Sequence, residues 1–440
     1  MFKTLRNAFK VEDVRRKLFY TFMMLIVIRI GSQVPVPGAN MDNFKNFLSS
    51  MQNNAGDAWA LFNAMTGGSF ENLSIFALSI SPYITSSIIM QLLTIAIPKL
   101  EELQKDGEEG RKKIAEITRY VTVALALIQS IAMAIGFQNN LYIEEGFFSI
   151  VQVVVAFTAG SAVLMWIGEQ ITEKGIGNGI SIVLVINIIS RIPSDMATLY
   201  SQFVSGKKLA MAGLAALIIL AVILITVVLV VILQDAERRI PVQYSKKVQG
   251  RKMVGGQSSH IPLKINTAGV IPVIFASSLM SFPVVIANLI GKNPQSGFWM
   301  HVFKGLQSSN WCNPDNWIYS IGLLVYILLC VFFAYFYTSI TFNPLEVADN
   351  MKKQGGFIPG IRPGKPTSDY LTKILNYVIF IGVVGLIIIC VIPIIFSGVF
   401  NARVSFGGTS LIIIVSVSLE TMKQLESQLV VRNYKGFLKK

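Results

Sequence analysis

GGSFENLSIFALSISPYITSSIIMQLLTIAIP, residues 67–98, is the stretch that decides the fold. From Leu73 to Ile97 it holds 25 residues without a charge, and about 20 helical residues cross a hydrocarbon core. Its first half is nevertheless dotted with Ser74, Ser79, Ser81, Pro82, Thr85, Ser86 and Ser87. One continuous helix would place Phe76, Ile80, Ile84 and Ile88 on a single face. Upstream, Trp59 to Met65 is apolar but too short to span, and it ends at Gly67-Gly68. That piece reads as a re-entrant, plug-like helix. Irregular backbone at membrane depth survives only inside protein or beside water. The span is therefore expected to line something, with Gly67-Gly68 as the hinge between a movable plug and one wall.

The rest of the chain has the same character. Of 440 residues, 53% are hydrophobic and 14% charged, against about 25% charged in soluble proteins. Mean hydropathy is +0.58. These values describe an integral membrane protein. Cys312, Cys330 and Cys390 are odd in number and lack motif spacing, which argues against a disulfide framework or a metal site. The polar, amphipathic start MFKTLRNAFKVEDVRRK does not read as a cleavable leader.

Ten apolar segments are expected, at about 18–36, 73–97, 119–137, 148–168, 176–193, 209–233, 265–291, 317–341, 374–397 and 408–425. Lys and Arg near segment ends stay on the cytoplasmic side. With the N-terminus inside, the outer connections hold only Lys45, Arg191, Lys207, Lys208, Lys292, Lys304 and Arg403, and Arg29 lies within the first segment. Both termini then face the cytoplasm. The second segment carries Pro82-Tyr83-Ile84 and the seventh Pro272-Val273-Ile274, while the fifth and tenth open on glycines. Partners five segments apart run in opposite directions, the mark of two inverted halves with function at their interface.

Embedded acids, bases and histidines mark pumps and membrane enzymes. Here the middles of the second, third, fourth, sixth, eighth and ninth segments are uncharged, and both histidines, His260 and His301, lie in connections. The embedded polar groups are neutral: Thr85, Gln91, Gln129, Asn187 and Asn266. Their ordinary role is to hydrogen-bond helices together. Gly175-Ile176-Gly177-Asn178-Gly179 has no preceding strand, and Gly364-Lys365-Pro366-Thr367 lacks the earlier glycine of a phosphate loop. Neither is a nucleotide site, and no cofactor is expected. The 6/7 connection holds KKVQGRK, which reads as a hairpin. The 8/9 connection holds GGFIPGIRPG, a turn presenting Arg362. Such basic loops serve orientation and anionic lipid contact, or docking of a large acidic partner such as ribosomal RNA.

RIGSQVPVPG (29–38), SIFALSISPYITSSIIMQLL (74–93), GEQITEKGIGNGISI (168–182), SSHIPLKINTAGVIPVIFASS (258–278), FNPLEVADNMKKQGGFIPGIRPG (342–364) and GGTSLIIIVSVSLETMKQLESQL (407–429) together resemble the SecY family of protein-conducting channels. The resemblance covers essentially the whole chain. It implies an all-α integral membrane protein with ten transmembrane helices in two inverted, pseudo-symmetric halves around an hourglass pore, with a short re-entrant plug helix. The domains would be a cytoplasmic N-terminus (1–17), an N-terminal half (18–200, plug about 58–72), a C-terminal half (201–425, cytoplasmic loops about 234–264 and 342–373) and a cytoplasmic tail (426–440).

The family's sites carry over by motif position. Its constriction ring resembles Ile80, Ile84, Ile180, Leu184, Ile274 and Ile413. Its plug resembles Leu61, Phe62, Asn63, Ala64, Met65, Thr66, Gly67, Gly68, Ser69, Phe70, Glu71 and Asn72. Its lateral gate sets segments two and three against seven and eight, with Thr85, Gln129 and Asn266 as the polar cluster. Its partner-facing loops resemble those with Arg238, Arg239, Arg251, Lys252 and Arg362. The implied function is a passive channel in the bacterial plasma membrane for unfolded secretory polypeptides, which also releases hydrophobic segments into lipid. The implied partners are SecE-like and SecG-like small subunits, a SecA-like motor ATPase, the ribosome, signal peptides with their preproteins, and lipids. The competing reading, an inverted-repeat transporter of a small solute, requires a charged or ion-coordinating midplane that these segments lack. An intramembrane enzyme is disfavoured by the scarcity of embedded acid and histidine.

Overall fold

The structure, a computed structural model, describes residues 6, 8–41, 43–45, 66–136, 146–204, 209–244, 247–249, 252–254, 258–289, 297–307, 310–312, 317–400 and 408–437. Long helices fall on all ten apolar segments. They are α1 (Glu12–Gly31), α2 (Ser81–Ala96), α4 (Glu108–Gly136), α5 (Phe147–Lys174), α6 (Gly179–Leu199), α7 (Leu209–Asp235), α8 (Ile271–Leu289), α10 (Ile321–Thr341), α12 (Lys365–Phe400) and α13 (Gly408–Phe437). Shorter helices join them: α3 (Pro98–Lys105), α9 (Phe298–Leu306) and α11 (Pro344–Lys353). Among the described residues, six helices are long and apolar enough to cross a membrane, or seven if α2 and α3 form one span bent by 106°. Leu214, Leu217, Leu220, Leu224 and Ile232 along α7 are exposed, as are Phe19, Phe22 and Ile30 along α1. Apolar surface of that extent suits lipid, not water.

The 67–98 stretch departs from the single helix expected of it. Helix α2 begins only at Ser81, and residues 67–80 run as consecutive turns. Leu73 (φ 42°) and Ser79 (φ 53°) adopt left-handed backbone, through which a right-handed helix does not continue. The chain here pairs outward instead. The Val36 N–H donates to the Leu73 carbonyl at 2.9 Å, and the Ile75 N–H to the Val34 carbonyl at 3.0 Å. Pro82 then sits in the first turn of α2, where its missing N–H costs nothing. Phe76 therefore does not share the α2 face, and its ring lies over Gly31 of α1. The seventh segment behaves the same way. Expected from residue 265, α8 starts at Ile271, with Pro272 second, after turns over 265–270. Other boundaries shift too, most of all at α4, which starts at Glu108 and not 119, at α12, which starts at Lys365 and not 374, and at α13, which continues through the tail to Phe437.

Short polar links tie the helices. The Ser86 hydroxyl of α2 donates to the Thr118 carbonyl of α4 at 2.8 Å. The Thr158 hydroxyl of α5 donates to the Ser130 hydroxyl of α4 at 3.1 Å. Lys423 on α13 pairs with Asp235 at the end of α7 at 2.9 Å. A small sheet packs against α11 and the start of α12: β1 (Glu237–Tyr244) pairs antiparallel with β4 (Ser258–Lys264) and with β5 (Gly356–Phe357). The expected hairpin around KKVQGRK is present as β2 (Lys247–Gln249) against β3 (Lys252–Val254). Ile240, Val242, Leu263, Met351, Ile358 and Leu371 form one apolar core under the sheet. The 6/7 and 8/9 connections are thus one folded body.

Candidate pore, plug and gate

The six expected ring residues come from four helices and meet in one apolar cluster. Ile80, at the N-cap of α2, is 1% exposed. Leu184 and Ile413 are buried, and Ile84, Ile180 and Ile274 half-buried. Ile180, Leu184 and Ile188 stack every fourth residue on α6. The start of α6 is fixed from both sides: the Ser181 N–H donates to the Asn178 side chain at 3.3 Å, and the Gly179 N–H to the Thr172 hydroxyl at 2.8 Å. The six side chains themselves are all branched aliphatics. A ring of branched aliphatics excludes water and blocks ions at rest. Leu184 among isoleucines is a volume-conserving change.

Below the ring in sequence, Thr66–Asn72 packs against α1 and α6. Thr66, Ser69 and Phe70 are buried. The Gly67 carbonyl accepts from Arg29 Nη1 at 3.3 Å and from the Ser190 hydroxyl at 3.4 Å. Glu71 Oε2 lies 2.7 Å from Arg191 Nη1. Asn72 Nδ2 donates to Gln33 Oε1 at 3.4 Å. Gly67 (φ 64°) lies so close to α6 that a Cβ would come within 2.9 Å of the Asn187 Cα. Only glycine suits both that angle and that gap. Gly68 (φ 82°) continues the left-handed turn. The expected short helix over 59–65, with Leu61, Phe62, Asn63, Ala64 and Met65, lies outside the described residues. Sequence reasoning missed the groups that hold this segment: Arg29, Gln33, Ser190 and Arg191. The available signal was a charged side chain inside an apolar segment, usually functional by virtue of its cost. Asn187 acts as expected of an embedded neutral polar group, its amide donating to the Ser79 hydroxyl at 2.9 Å.

The polar trio is not joined by hydrogen bonds among the described residues. The Thr85 hydroxyl donates to its own helix, to the Ser81 carbonyl at 3.0 Å. Gln129 is half-buried on α4. Asn266 is buried with its Nδ2 unpartnered, and it lines a pocket with Thr338, Ile379 and Gly382. What does lie between the halves is an apolar crevice lined by Ile88, Gln91 and Leu92 of α2, Phe275 of α8, and Phe333, Phe336 and Tyr337 of α10. The loop residues Arg238 and Arg239 are exposed on β1, with Arg239 paired to Glu237 at 2.7 Å. Arg362 is exposed in a turn, where its carbonyl accepts from the Thr367 hydroxyl at 2.8 Å. Lys252 opens β3, and Arg251 lies outside the described residues.

The SecY family model matches residues 74–422. The protein translocase subunit SecY of Halalkalibacterium halodurans is 44% identical over 447 residues, covering 100% of both chains. A solved protein-conducting channel superposes with a TM-score of 0.62 at 18% identity, over 94% of this chain and 92% of that one. Sec61 from a canine ribosome–channel complex of the endoplasmic reticulum gives 0.59 at 17% identity, with the same coverage.

Proposed function

Because the chain belongs to the SecY family, we propose that its six-residue aliphatic cluster is the constriction of a protein-conducting channel. The chain is a protein translocation channel subunit and an all-α, multi-pass membrane protein. The observation that carries the pore reading is the convergence of Ile80, Ile84, Ile180, Leu184, Ile274 and Ile413 from α2, α6, α8 and α13. A neutral, deformable aliphatic gasket suits unfolded polypeptide of any sequence, whereas a solute transporter uses a polar or ion-binding midplane.

The finer reading follows from the same frame. Ten spans form two inverted halves, 18–200 and 201–425, in the bacterial plasma membrane with both termini cytoplasmic. Thr66–Asn72, with the preceding residues from Leu61, plugs the pore. A signal sequence opens the crevice between α2, α8 and α10 toward lipid. The folded 6/7–8/9 body, with Arg238, Arg239, Arg251, Lys252 and Arg362, receives a SecA-like motor or a ribosome, the latter being the partner named for the canine Sec61 complex. SecE-like and SecG-like subunits brace the halves. A photo-crosslinker placed at residue 84 or 413 tests the pore directly. With a signal-bearing cargo arrested in transit, both positions form adducts with the cargo. Adducts at neither position, with cargo demonstrably engaged, contradict the pore assignment.

A further inference from the structure

Glu71 and Arg191 are 120 residues apart in sequence and 2.7 Å apart in space. The Arg191 side chain is 14% exposed and that of Glu71 29%. Arg191 Nε is buried without a partner among the described residues. Its guanidinium therefore depends on this carboxylate for charge compensation, and removing the carboxylate leaves a largely buried cation without its counter-charge. Arg191 stands on the helix that carries Ile180 and Leu184. Seven residues separate it from Leu184, about two turns, which puts both on the same face. The Gly67 backbone is seated on that helix too, against Asn187. Arg29 reaches Gly67 only through a neutral carbonyl, so it pins the hinge without neutralising charge.

We propose that Glu71–Arg191 is an electrostatic latch that sets how long the plug stays seated, with both residues in positioning roles. The proposal rests on the plug reading above and extends it to a specific release step. Because the ring and Arg191 share one rigid helix face, widening the ring around a polypeptide displaces Arg191 from Glu71, and the plug is released as the ring opens. A channel at rest keeps the pair closed and the pore sealed.

The test is single-channel recording of the full chain, reconstituted with its partner subunits in planar bilayers. Glu71→Gln removes the charge while keeping the shape. Glu71→Arg and Arg191→Glu create like-charge pairs, and the double exchange restores an opposite pair. Losing a pair of this burial is expected to raise the frequency of resting openings about tenfold in each single variant, with the exchange returning close to the parent. Single variants as quiet as the parent, or an exchange as leaky as the singles, overturn the latch. Deleting residues 66–72 separates the two levels. If the deletion leaks and the charge variants do not, the latch fails and the plug stands; if the deletion is also silent, the plug reading itself fails. The exchange separates the latch from a folding defect: two disruptive substitutions leak at least as much together as singly, and that result overturns the latch.

Discussion

A branched aliphatic side chain is a poor partner for water and an undemanding one for a passing polypeptide. That is the property shared by the six positions proposed as the ring, three of them buried and three half-buried in one apolar cluster. Replacing Ile84 and Ile274 together by glycine removes two of the half-buried members without introducing charge. Resting ion conductance is then expected to rise severalfold in planar bilayers, and an unchanged conductance removes both residues from the constriction. The six positions were assigned only through the family resemblance, whose motifs lie around Pro82, Gly179, Pro272 and Gly408. The latch was not legible. Glu71 is one acid in a polar stretch, and Arg191 one base near a helix end. Nothing in their spacing announces that backbone turns over 67–80 bring them to 2.7 Å.

Among the elements, α2 and α8 are the informative pair. Both were expected to begin eight and six residues earlier, at 73 and 265, and both begin instead one residue before a proline, at Ser81 and Ile271. Apolar composition alone does not distinguish a buried turn from a helix. Around Leu73 and Ser79, positive φ and pairing with residues 34–36 override it. The loops carry the converse lesson. The local hairpin at β2–β3 was legible from KKVQGRK, but the β1–β4 and β1–β5 pairings are long-range, and β5 is two residues long. The sheet makes the 6/7 and 8/9 connections mechanically one, with Ile240 at 1% exposure in their shared core. Truncating a buried isoleucine costs about 2–5 kcal/mol. Ile240→Ala is expected to loosen both connections at once, giving faster limited proteolysis in 350–364 as well as near the hairpin. Cleavage confined to the 6/7 connection contradicts the shared body.

At the scale of the whole molecule, the charge distribution and the ten apolar segments already described a multi-pass membrane protein, and the paired Pro and Gly positions carry the proposal of two inverted halves. The helices fall on those segments, and the family model matches residues 74–422. The cargo was legible only through resemblance, since an aliphatic ring excludes charged-solute chemistry but does not name a polypeptide. Directional transport is proposed to be driven by a partner rather than by this chain. The central claim is therefore that this chain conducts protein when driven from outside itself. The most direct measurement places the full chain with its small subunits in liposomes, adds a motor ATPase with ATP, and follows a signal-bearing unfolded polypeptide by protease protection. The account predicts protection that depends on the channel, the signal and ATP together. A competent motor that leaves the polypeptide fully digestible would contradict it.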